Sequence, residues 1–244
     1  MKFENTEVWG FEHAIRGMRN PLKSWDKSDS LFCCHKTTDK GCKKCPLYND
    51  EEQCRRTIRF QQKTNIPFYI IGKNDFALIQ TLIKAGSEHR KFLRQIFVSV
   101  DITAPLYWWK EFDTYKVGTV ANSCSTMHKL KDTPITRNCF EMSGYKHIPM
   151  VLHTIGVTDD FWYWLIEALE NLRQEYLKTK DKKCWHELIR MLPESWLQKR
   201  TVTMNYENVA NMYSQRMNHK LTEWSKDFIQ WADSLPYFKE FFTV

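Results

Sequence analysis

The chain has 244 residues, of which 42% are hydrophobic and 27% charged, a composition that indicates a folded globular protein and excludes an intrinsically disordered one. Its net charge of +7 favours anionic partners such as nucleotides, nucleic acids or acidic proteins. No apolar run approaches the roughly 20 residues of a membrane span, and the N-terminal residues lack the apolar region of a signal peptide, so we expect a cytoplasmic protein.

Hydrophobic periodicity and helix-end signals predict mainly helices. The predicted helices lie at about 7–18, 74–86, 104–115, 158–179, 182–193, 204–216 and 221–238. Strands are predicted at 95–101 and 199–205, and the small-residue-rich segment 116–130 is predicted to be a loop or an irregular strand. Because helices dominate and strands are few, the pattern predicts an α+β fold with mostly helical mass.

The helix predicted at 204–216 carries an arginine on its inner face. At about 3.6 residues per turn, Arg216 lies in line with Val209 and Met212, which should point inward. Because a guanidinium does not deprotonate in proteins, this position suggests an anionic or strongly polar ligand. Two other interpretations stay open: Arg216 could reach solvent or pair with Glu207, and Asn205 on the same face could simply cap the helix.

Five of the eight cysteines lie between residues 33 and 54, in the pattern C-C-H-x6-C-x2-C-x8-C. A Cys-x2-Cys pair brings two thiolates to one metal ion, and two further cysteines complete a tetrahedron. We predict a structural zinc site whose ligands are Cys42, Cys45, Cys54 and either Cys33 or Cys34. An iron–sulfur cluster or free cysteines are the alternatives. The polar segment at 31–56 cannot bury a core, so the metal would supply folding energy to this inserted module.

Two stretches resemble the flavin-dependent thymidylate synthase family, over residues 94–130 and 190–235. Ala104-Pro105 begins the first stretch, and Leu192-Pro193, Asn205, Asn211 and Arg216 match the second without a gap. The family signature R-H-R-x-x-S-x-N-E-x-S-x-R falls on 114–126 and is largely lost: its R-H-R positions hold Thr114, Tyr115 and Lys116. Lys116 keeps a cation and Thr119 keeps the hydroxyl, whereas Asn122 and Cys124 fill the Glu and second Ser positions.

The resemblance implies a mostly helical α+β domain over 1–244 with a small antiparallel sheet and the inserted module at 31–56. It implies a thymidylate synthase-like methyltransferase of nucleotide biosynthesis, which transfers a one-carbon unit to C5 of a dUMP-like pyrimidine deoxynucleotide. FAD would be the flavin cofactor, a folate the one-carbon donor, and a homotetramer the assembly. The alternative is a non-catalytic module on the same fold that binds a nucleotide or a nucleic acid.

The resemblance also implies roles for individual residues. Arg216 would contact the uridine nucleotide and stabilise charge on its ring, and Cys124 could attack C6 of the pyrimidine or merely fill a small position. The residues implied to bind nucleotide or cofactor are Asn205, Asn211, Lys116, Thr119 and Asn122. Replacement cations for the lost arginines are Arg90, Lys110, Arg16 and Arg19, each of which could instead be solvated. In the non-catalytic module Tyr107, Trp108 and Trp109 would stack on bases, although core packing is the other use of these rings.

Overall fold

The computed structural model describes residues 1–33, 45–47, 52, 54–55, 68–144, 146, 149–151 and 158–242. Within these residues, no helix is long and apolar enough to cross a membrane. The chain forms two compact units: unit 1 comprises residues 1–6 and 99–203, and unit 2 comprises residues 7–98 and 204–244. The single domain over 1–244 and the inserted module at 31–56 remain predictions.

The strands follow one another as β1 (Lys2–Trp9), β2 (Leu31–Phe32), β3 (Tyr69–Ile70), β4 (Phe97–Pro105), β5 (Val120–Ser123), β6 (Pro149–Val151), β7 (Thr158–Asp160) and β8 (Leu197–Asn205). A four-stranded sheet has the order β1-β4-β8-β5, and the other strands form the pairs β2-β3 and β6-β7. Strand β5 runs antiparallel to β8, with Val120 opposite Thr203 and Ser123 opposite Arg200.

The helices are α1 (Phe11–Arg19), α2 (Lys73–Lys84), α3 (Leu106–Phe112), α4 (Thr126–Lys129), α5 (Phe161–Thr179), α6 (Lys182–Met191), α7 (Tyr206–Arg216), α8 (Ile229–Asp233) and α9 (Phe238–Phe242). A π-helix at Glu223–Phe228 precedes α8. The mostly helical α+β class with a small sheet is therefore confirmed. The helices predicted at 74–86, 104–115, 158–179, 182–193 and 204–216 each correspond to one of these helices.

The helix predicted at 7–18 is wrong in its first part, because residues up to Trp9 belong to β1. Gly10 separates the strand from α1 with a φ of +95°, a left-handed conformation that disfavours other residues. A Cβ atom at Gly10 would lie 2.1 Å from the carbonyl oxygen of Gln95, so the close approach of these two backbones also requires glycine. Most side chains of β1 are exposed, and the strand therefore lacks the apolar alternation that would have predicted it.

The loop predicted at 116–130 is also only partly correct, because it contains β5 and the short helix α4. All four side chains of β5 are exposed, so its sequence carries no hydrophobic period. Its backbone pairing with β8, which lies about 80 residues away in sequence, makes it a strand.

The core of unit 1 combines an aliphatic cluster with an aromatic one. Leu130, Leu169 and Leu188 are buried together with Ile135 and Phe140, and Trp162 of α5 and Trp185 of α6 pack against them. In α3, Trp108, Trp109 and Phe112 are almost completely buried, and their ring centroids lie 4.9–5.3 Å apart. The hypothesis that Trp108 and Trp109 stack on nucleic-acid bases is therefore wrong, since both rings pack in the core; Tyr107 beside them is half-buried.

A buried carboxylate holds three segments of unit 2 together. Asp75, in the first turn of α2, is fully buried and forms an ion pair with Arg19 at the end of α1. Its Oδ2 atom accepts hydrogen bonds from the hydroxyl groups of Ser28 and Ser30, at 2.7 and 2.6 Å, and from the backbone N–H groups of Asp29 and Ser30. Burial by itself raises the pKa of Asp75, but these hydrogen bonds and the charge of Arg19 outweigh it and hold the pKa below its ordinary value.

The same interactions fix both ends of the cysteine-rich segment. The side chain of Asp29 accepts the backbone N–H groups of Asn74 and Asp75, and thus caps the start of α2 from outside the helix. Strand β2 follows Asp29 closely and pairs antiparallel with β3, with Leu31 opposite Ile70. The segment that leaves at Cys33 therefore returns to the same place at residue 68.

We expect Asp75→Ala to lower the free energy of unfolding by about 3–5 kcal/mol, because it leaves Arg19 buried without its charge partner. Chemical denaturation of this variant and of the exposed-site control Asp26→Ala gives the measurement. In the wild type the folded chain has the lower Asp75 pKa. The resulting stabilisation is therefore complete above about pH 5 and declines as the pH falls through the ordinary and then the folded pKa. An equal loss in both variants would contradict the prediction.

Candidate functional site

The start of α7 is fixed by reciprocal capping. The side chain of Asn205 accepts the backbone N–H of Asn208 at 3.0 Å, and the side chain of Asn208 accepts the backbone N–H of Asn205 at 3.2 Å. This is a capping box, which satisfies N–H groups that the first turn of a helix leaves open. The oxygen of Asn205 is therefore engaged within the helix, as the capping interpretation predicted.

One turn further along α7, three polar side chains meet. The Nε and Nη2 atoms of Arg90 donate to Oε1 of Glu207 at 3.2 and 3.0 Å, and Nη2 also donates to Oδ1 of Asn211 at 3.3 Å. The Arg90 side chain is 21% exposed and that of Glu207 only 8%. The structure thus brings together the predicted binding residues Arg90 and Asn211. It adds Glu207, whose charge neutralises that of Arg90.

Arg216 ends α7 on the face that the sequence predicted, in line with the fully buried Val209 and Met212. Its guanidinium carbon lies 4.9 Å from the centre of the Trp224 ring, and Trp224 is fully buried at the start of the π-helix. A cation above an indole ring is stabilised by about 0.5–2 kcal/mol, more strongly where water is excluded. The carboxylate of Glu207, proposed as a partner for Arg216, is instead bonded to Arg90.

The residues at the lost signature lie around β5 in unit 1. Lys116 is exposed, and the hydroxyl of Thr119 donates within the preceding turn to the carbonyl oxygen of Tyr115 at 3.0 Å. Asn122 is exposed on β5 opposite Thr201, and Lys110 forms an exposed ion pair with Glu194. Two further cations were predicted to replace the signature arginines. Of these, Arg16 is exposed and Arg19 is buried against Asp75.

Cys124 follows β5 and lines a cavity of about 860 Å³ in unit 1. Among the cysteines that the structure describes, it is the exposed one, whereas the others are buried or half-buried. Four cationic side chains line the cavity (Lys2, Lys129, Arg137 and Lys199). Lys129 forms an ion pair with Asp132 at 2.9 Å, and this pairing raises the pKa of Lys129. A cavity of this volume is large enough for a mononucleotide-sized ligand.

Arg200 on β8 is a polar residue that the sequence reasoning missed. Its guanidinium carbon lies 4.2 Å from the centre of the Trp109 ring, and its Nη1 donates to Asp113 at 2.9 Å. Along β8, Arg200 alternates onto the same strand face as the buried Val202 and Met204. The sequence signal that could have identified Arg200 is its two-residue spacing from apolar residues of the same strand.

Of the cysteines predicted as zinc ligands, the structure describes Cys33, Cys45 and Cys54. Cys33 is buried directly after β2, and Cys45 and Cys54 are half-buried, whereas Cys42 lies outside the described residues. In the part of the chain that the structure describes, no three side chains of histidine, cysteine, aspartate or glutamate are grouped so that they could hold a metal ion. Cys33, Cys45 and Cys54 are therefore not grouped as three ligands of one ion, and the zinc site remains a prediction.

Comparisons with known proteins identify the fold. No model of a known protein family matches the chain, and no curated protein matches it in sequence. Two crystal structures of the flavin-dependent thymidylate synthase ThyX from Helicobacter pylori, both with FAD and dUMP, are similar to it at 15% identity. One gives a TM-score of 0.59 over 99% of this chain and 97% of the enzyme, and the other gives 0.60 over 100% of both. The chain therefore has the fold of a flavin-dependent thymidylate synthase.

Proposed function

We propose that the chain is a divergent thymidylate synthase-like protein, which binds a dUMP-like pyrimidine deoxynucleotide and acts at C5 by one-carbon transfer. The observation that carries this proposal is the position of Arg216, on the inner face of α7 above the buried ring of Trp224. When a guanidinium stacks on an aromatic ring, its N–H groups point outward in the guanidinium plane. In that orientation they can donate hydrogen bonds to ring carbonyls or to a phosphate. The shared fold with an enzyme solved in complex with dUMP adds support.

The catalytic residues of this proposal are Arg216, which would contact the nucleotide and stabilise negative charge on its ring, and Cys124, whose exposed thiol could serve as a nucleophile. Asn205, Asn211, Arg90, Lys116, Thr119, Asn122 and Lys110 are the proposed binding residues. A folate donor and a homotetramer are part of the same proposal, since the family resemblance implies both.

The residues fit a nucleotide better than they fit FAD. Reduced FAD, where it is bound, supplies a hydride. However, two arginines and a histidine of the flavin-binding signature are replaced by Thr114, Tyr115 and Lys116, and the hydroxyl of Thr119 is engaged in its own turn. The diphosphate of FAD carries at least two negative charges, and each lost charge-assisted hydrogen bond removes about 1.5–3 kcal/mol. We therefore propose that the flavin site is weakened.

The same observations favour a second candidate function, a module that binds a nucleotide without turnover. This module would use Arg216 and the cavity beside Cys124, and it would bind no flavin. The two candidates differ when FAD is added in excess, because a flavin enzyme then binds the cofactor and takes up its yellow absorption, whereas a binding module does not. Nucleic acid is the less favoured ligand, since the candidate stacking rings Trp108 and Trp109 are buried.

We also propose that the cysteine-rich segment holds a structural zinc ion with Cys33, Cys42, Cys45 and Cys54 as ligands. Cys33 lies where the segment begins, and its backbone N–H donates to the carbonyl oxygen of Phe68, where the segment ends, at 2.9 Å. This contact supports one proposed ligand at the base of the segment.

We expect Arg216→Ala to weaken dUMP binding by about 10- to 100-fold, because one charge-assisted hydrogen bond is lost. Isothermal titration calorimetry measures the affinity, and a thermal melt checks that the variant remains folded. Arg190→Ala is the matched control, since Arg190 is an exposed arginine paired with Glu187. Equal affinity in the wild type and Arg216→Ala would contradict the proposed nucleotide contact.

We expect dUMP to bind more tightly than FAD, because the lost signature arginines would weaken FAD by about two to four decades. Titration of both ligands into the same preparation, together with the visible absorption of the purified protein, tests this. A yellow protein that binds FAD tightly and does not bind dUMP would overturn both the order of affinities and the proposed substrate.

We expect the protein purified without chelator to contain one zinc ion per chain, and Cys45→Ser to lose it. Removal of the metal should lower the melting temperature of the wild type, since the bound ion supplies folding energy to the segment. Cys139→Ser is the control, because this half-buried cysteine lies outside the segment. Elemental analysis that finds no stoichiometric metal would refute the zinc site.

A further inference from the structure

The turn between α5 and α6 carries a concentrated positive charge. Residues 178–183 read K-T-K-D-K-K, so they contain four lysines and one aspartate, which gives a net charge of +3. All six side chains are exposed. The whole chain has a net charge of only +7, so a large part of its excess positive charge lies in these six residues. We call residues 178–183 the lysine turn.

The charges of the lysine turn are not neutralised within the part of the chain that the structure describes. None of its four lysines forms an ion pair with a carboxylate there, whereas other exposed lysines do, such as Lys110 with Glu194. The carboxylate of Asp181 is engaged as a helix cap, since its Oδ1 atom accepts the backbone N–H of Lys183 at 2.8 Å. The positive charge of the turn is therefore open to an anion from outside the chain.

Three of the four lysines lie where local structure disfavours them. Lys180 follows α5 with a φ of +60°, a left-handed conformation that helix ends usually give to glycine or asparagine. Lys182 and Lys183 begin α6, where the helix dipole favours acidic residues, yet the first turn reads K-K-C-W. Only Lys178 suits the dipole, at the end of α5. Departures from local preference are expected at functional sites, so a ligand explains these lysines better than helix stability does.

The lysine turn is held in one conformation by its neighbours. The backbone N–H of Lys180 donates to the carbonyl oxygen of Tyr176 at 2.8 Å, and the backbone N–H of Asp181 donates to the hydroxyl of Thr179 at 3.2 Å. Behind the turn, the rings of Tyr176 and Trp185 pack with their centroids 5.1 Å apart and join α5 to α6. The backbone that carries the lysines is therefore fixed, while their flexible side chains can adapt to a partner.

The chemistry of the turn fits a phosphate backbone better than it fits an acidic protein or a membrane. Protein–protein interfaces are depleted in lysine and have an apolar or aromatic centre, whereas Tyr176 and Trp185 behind the turn are half-buried against each other. Binding to a membrane surface needs exposed apolar side chains beside the cations. The exposed Phe161, Tyr163 and Trp164 lie at the other end of α5, about 20 Å along the helix.

We propose that the lysine turn binds the sugar–phosphate backbone of a nucleic acid without reading its sequence. Lysine contacts to phosphates supply affinity and position a strand, and they carry no sequence information. Such contacts need no stacking ring, so the burial of Trp108 and Trp109 does not oppose them. The proposal is independent of the proposed function, since none of the residues proposed to bind the pyrimidine nucleotide lies in the lysine turn.

Fluorescence anisotropy with a labelled single-stranded DNA of about 20 nucleotides tests the proposal at several salt concentrations. For four phosphate contacts, the logarithm of the binding constant should fall against the logarithm of the salt concentration with a slope of about −3. The test variant combines Lys178→Gln, Lys180→Gln, Lys182→Gln and Lys183→Gln. It should bind about 10-fold or more weakly at low salt, with a slope near zero, and each single replacement should reduce the slope by about 0.7.

The matched control removes four exposed lysines of unit 2 by combining Lys23→Gln, Lys27→Gln, Lys73→Gln and Lys84→Gln. Both variants lose the same number of positive charges, so a loss of binding confined to the lysine-turn variant assigns the effect to position. An equal loss in the two variants would show that binding follows net charge alone, and would overturn the proposal. A wild type that does not bind the oligonucleotide at low salt would overturn it as well.

Two further measurements separate this inference from its alternatives. Sedimentation with phosphatidylserine vesicles tests the membrane surface: a wild type that binds the vesicles and not the oligonucleotide would contradict the nucleic-acid partner. Calorimetric titration of dUMP tests the proposed function: the lysine-turn variant should bind dUMP as the wild type does. A wild type that binds the oligonucleotide through the lysine turn but does not bind dUMP would contradict the proposed function and leave this inference supported.

Discussion

The buried carboxylate of Asp75 is the interaction on which the arrangement of unit 2 depends. It joins the end of α1, the turn at 28–30 and the start of α2, and Arg19 supplies the charge that makes its burial tolerable. A buried ion pair gains little over an apolar core, but removing one partner is costly, so the group specifies position more than it adds stability. Its consequence is that the cysteine-rich segment leaves and re-enters the fold between fixed ends, whatever that segment binds.

Helix α7 combines residues with a structural role and residues with a proposed binding role. Its apolar side chains, among them Val209 and Met212, are fully buried and anchor it in unit 2. Asn205 and Asn208 satisfy its first turn, and Glu207 holds Arg90. Arg216 is thereby placed at the far end against the ring of Trp224. The position of the Arg216 guanidinium thus depends on three interactions of α7: the capping of its first turn, the burial of its apolar side chains and the ion pair of Glu207.

The fold and the signature residues have diverged to different degrees. A chain at 15% identity to the enzyme from Helicobacter pylori keeps its fold over the whole length, because a core tolerates many apolar substitutions of similar volume. Residues 114–126 do not carry the arginines of the signature, and charge-assisted contacts have no such tolerance. Lys116 is exposed, and the hydroxyl of Thr119 donates within its own turn. The cavity beside Cys124, which four cationic side chains line together with Glu141, is one feature of unit 1 with room for a ligand.

The sequence by itself determined the features that depend on local pattern. Helix α2, helix α7, the cap at Asn205 and the inward position of Arg216 all follow from 3.6-residue periodicity and helix-end chemistry. Only the tertiary structure decided the partners of the charged residues and the nature of the exposed strands. Arg90 and Glu207 lie 117 residues apart, and β1 and β5 have mostly exposed side chains, so no local pattern marks either. The reason is physical: a long charged side chain and an exposed strand take their structure from groups that are distant in the chain.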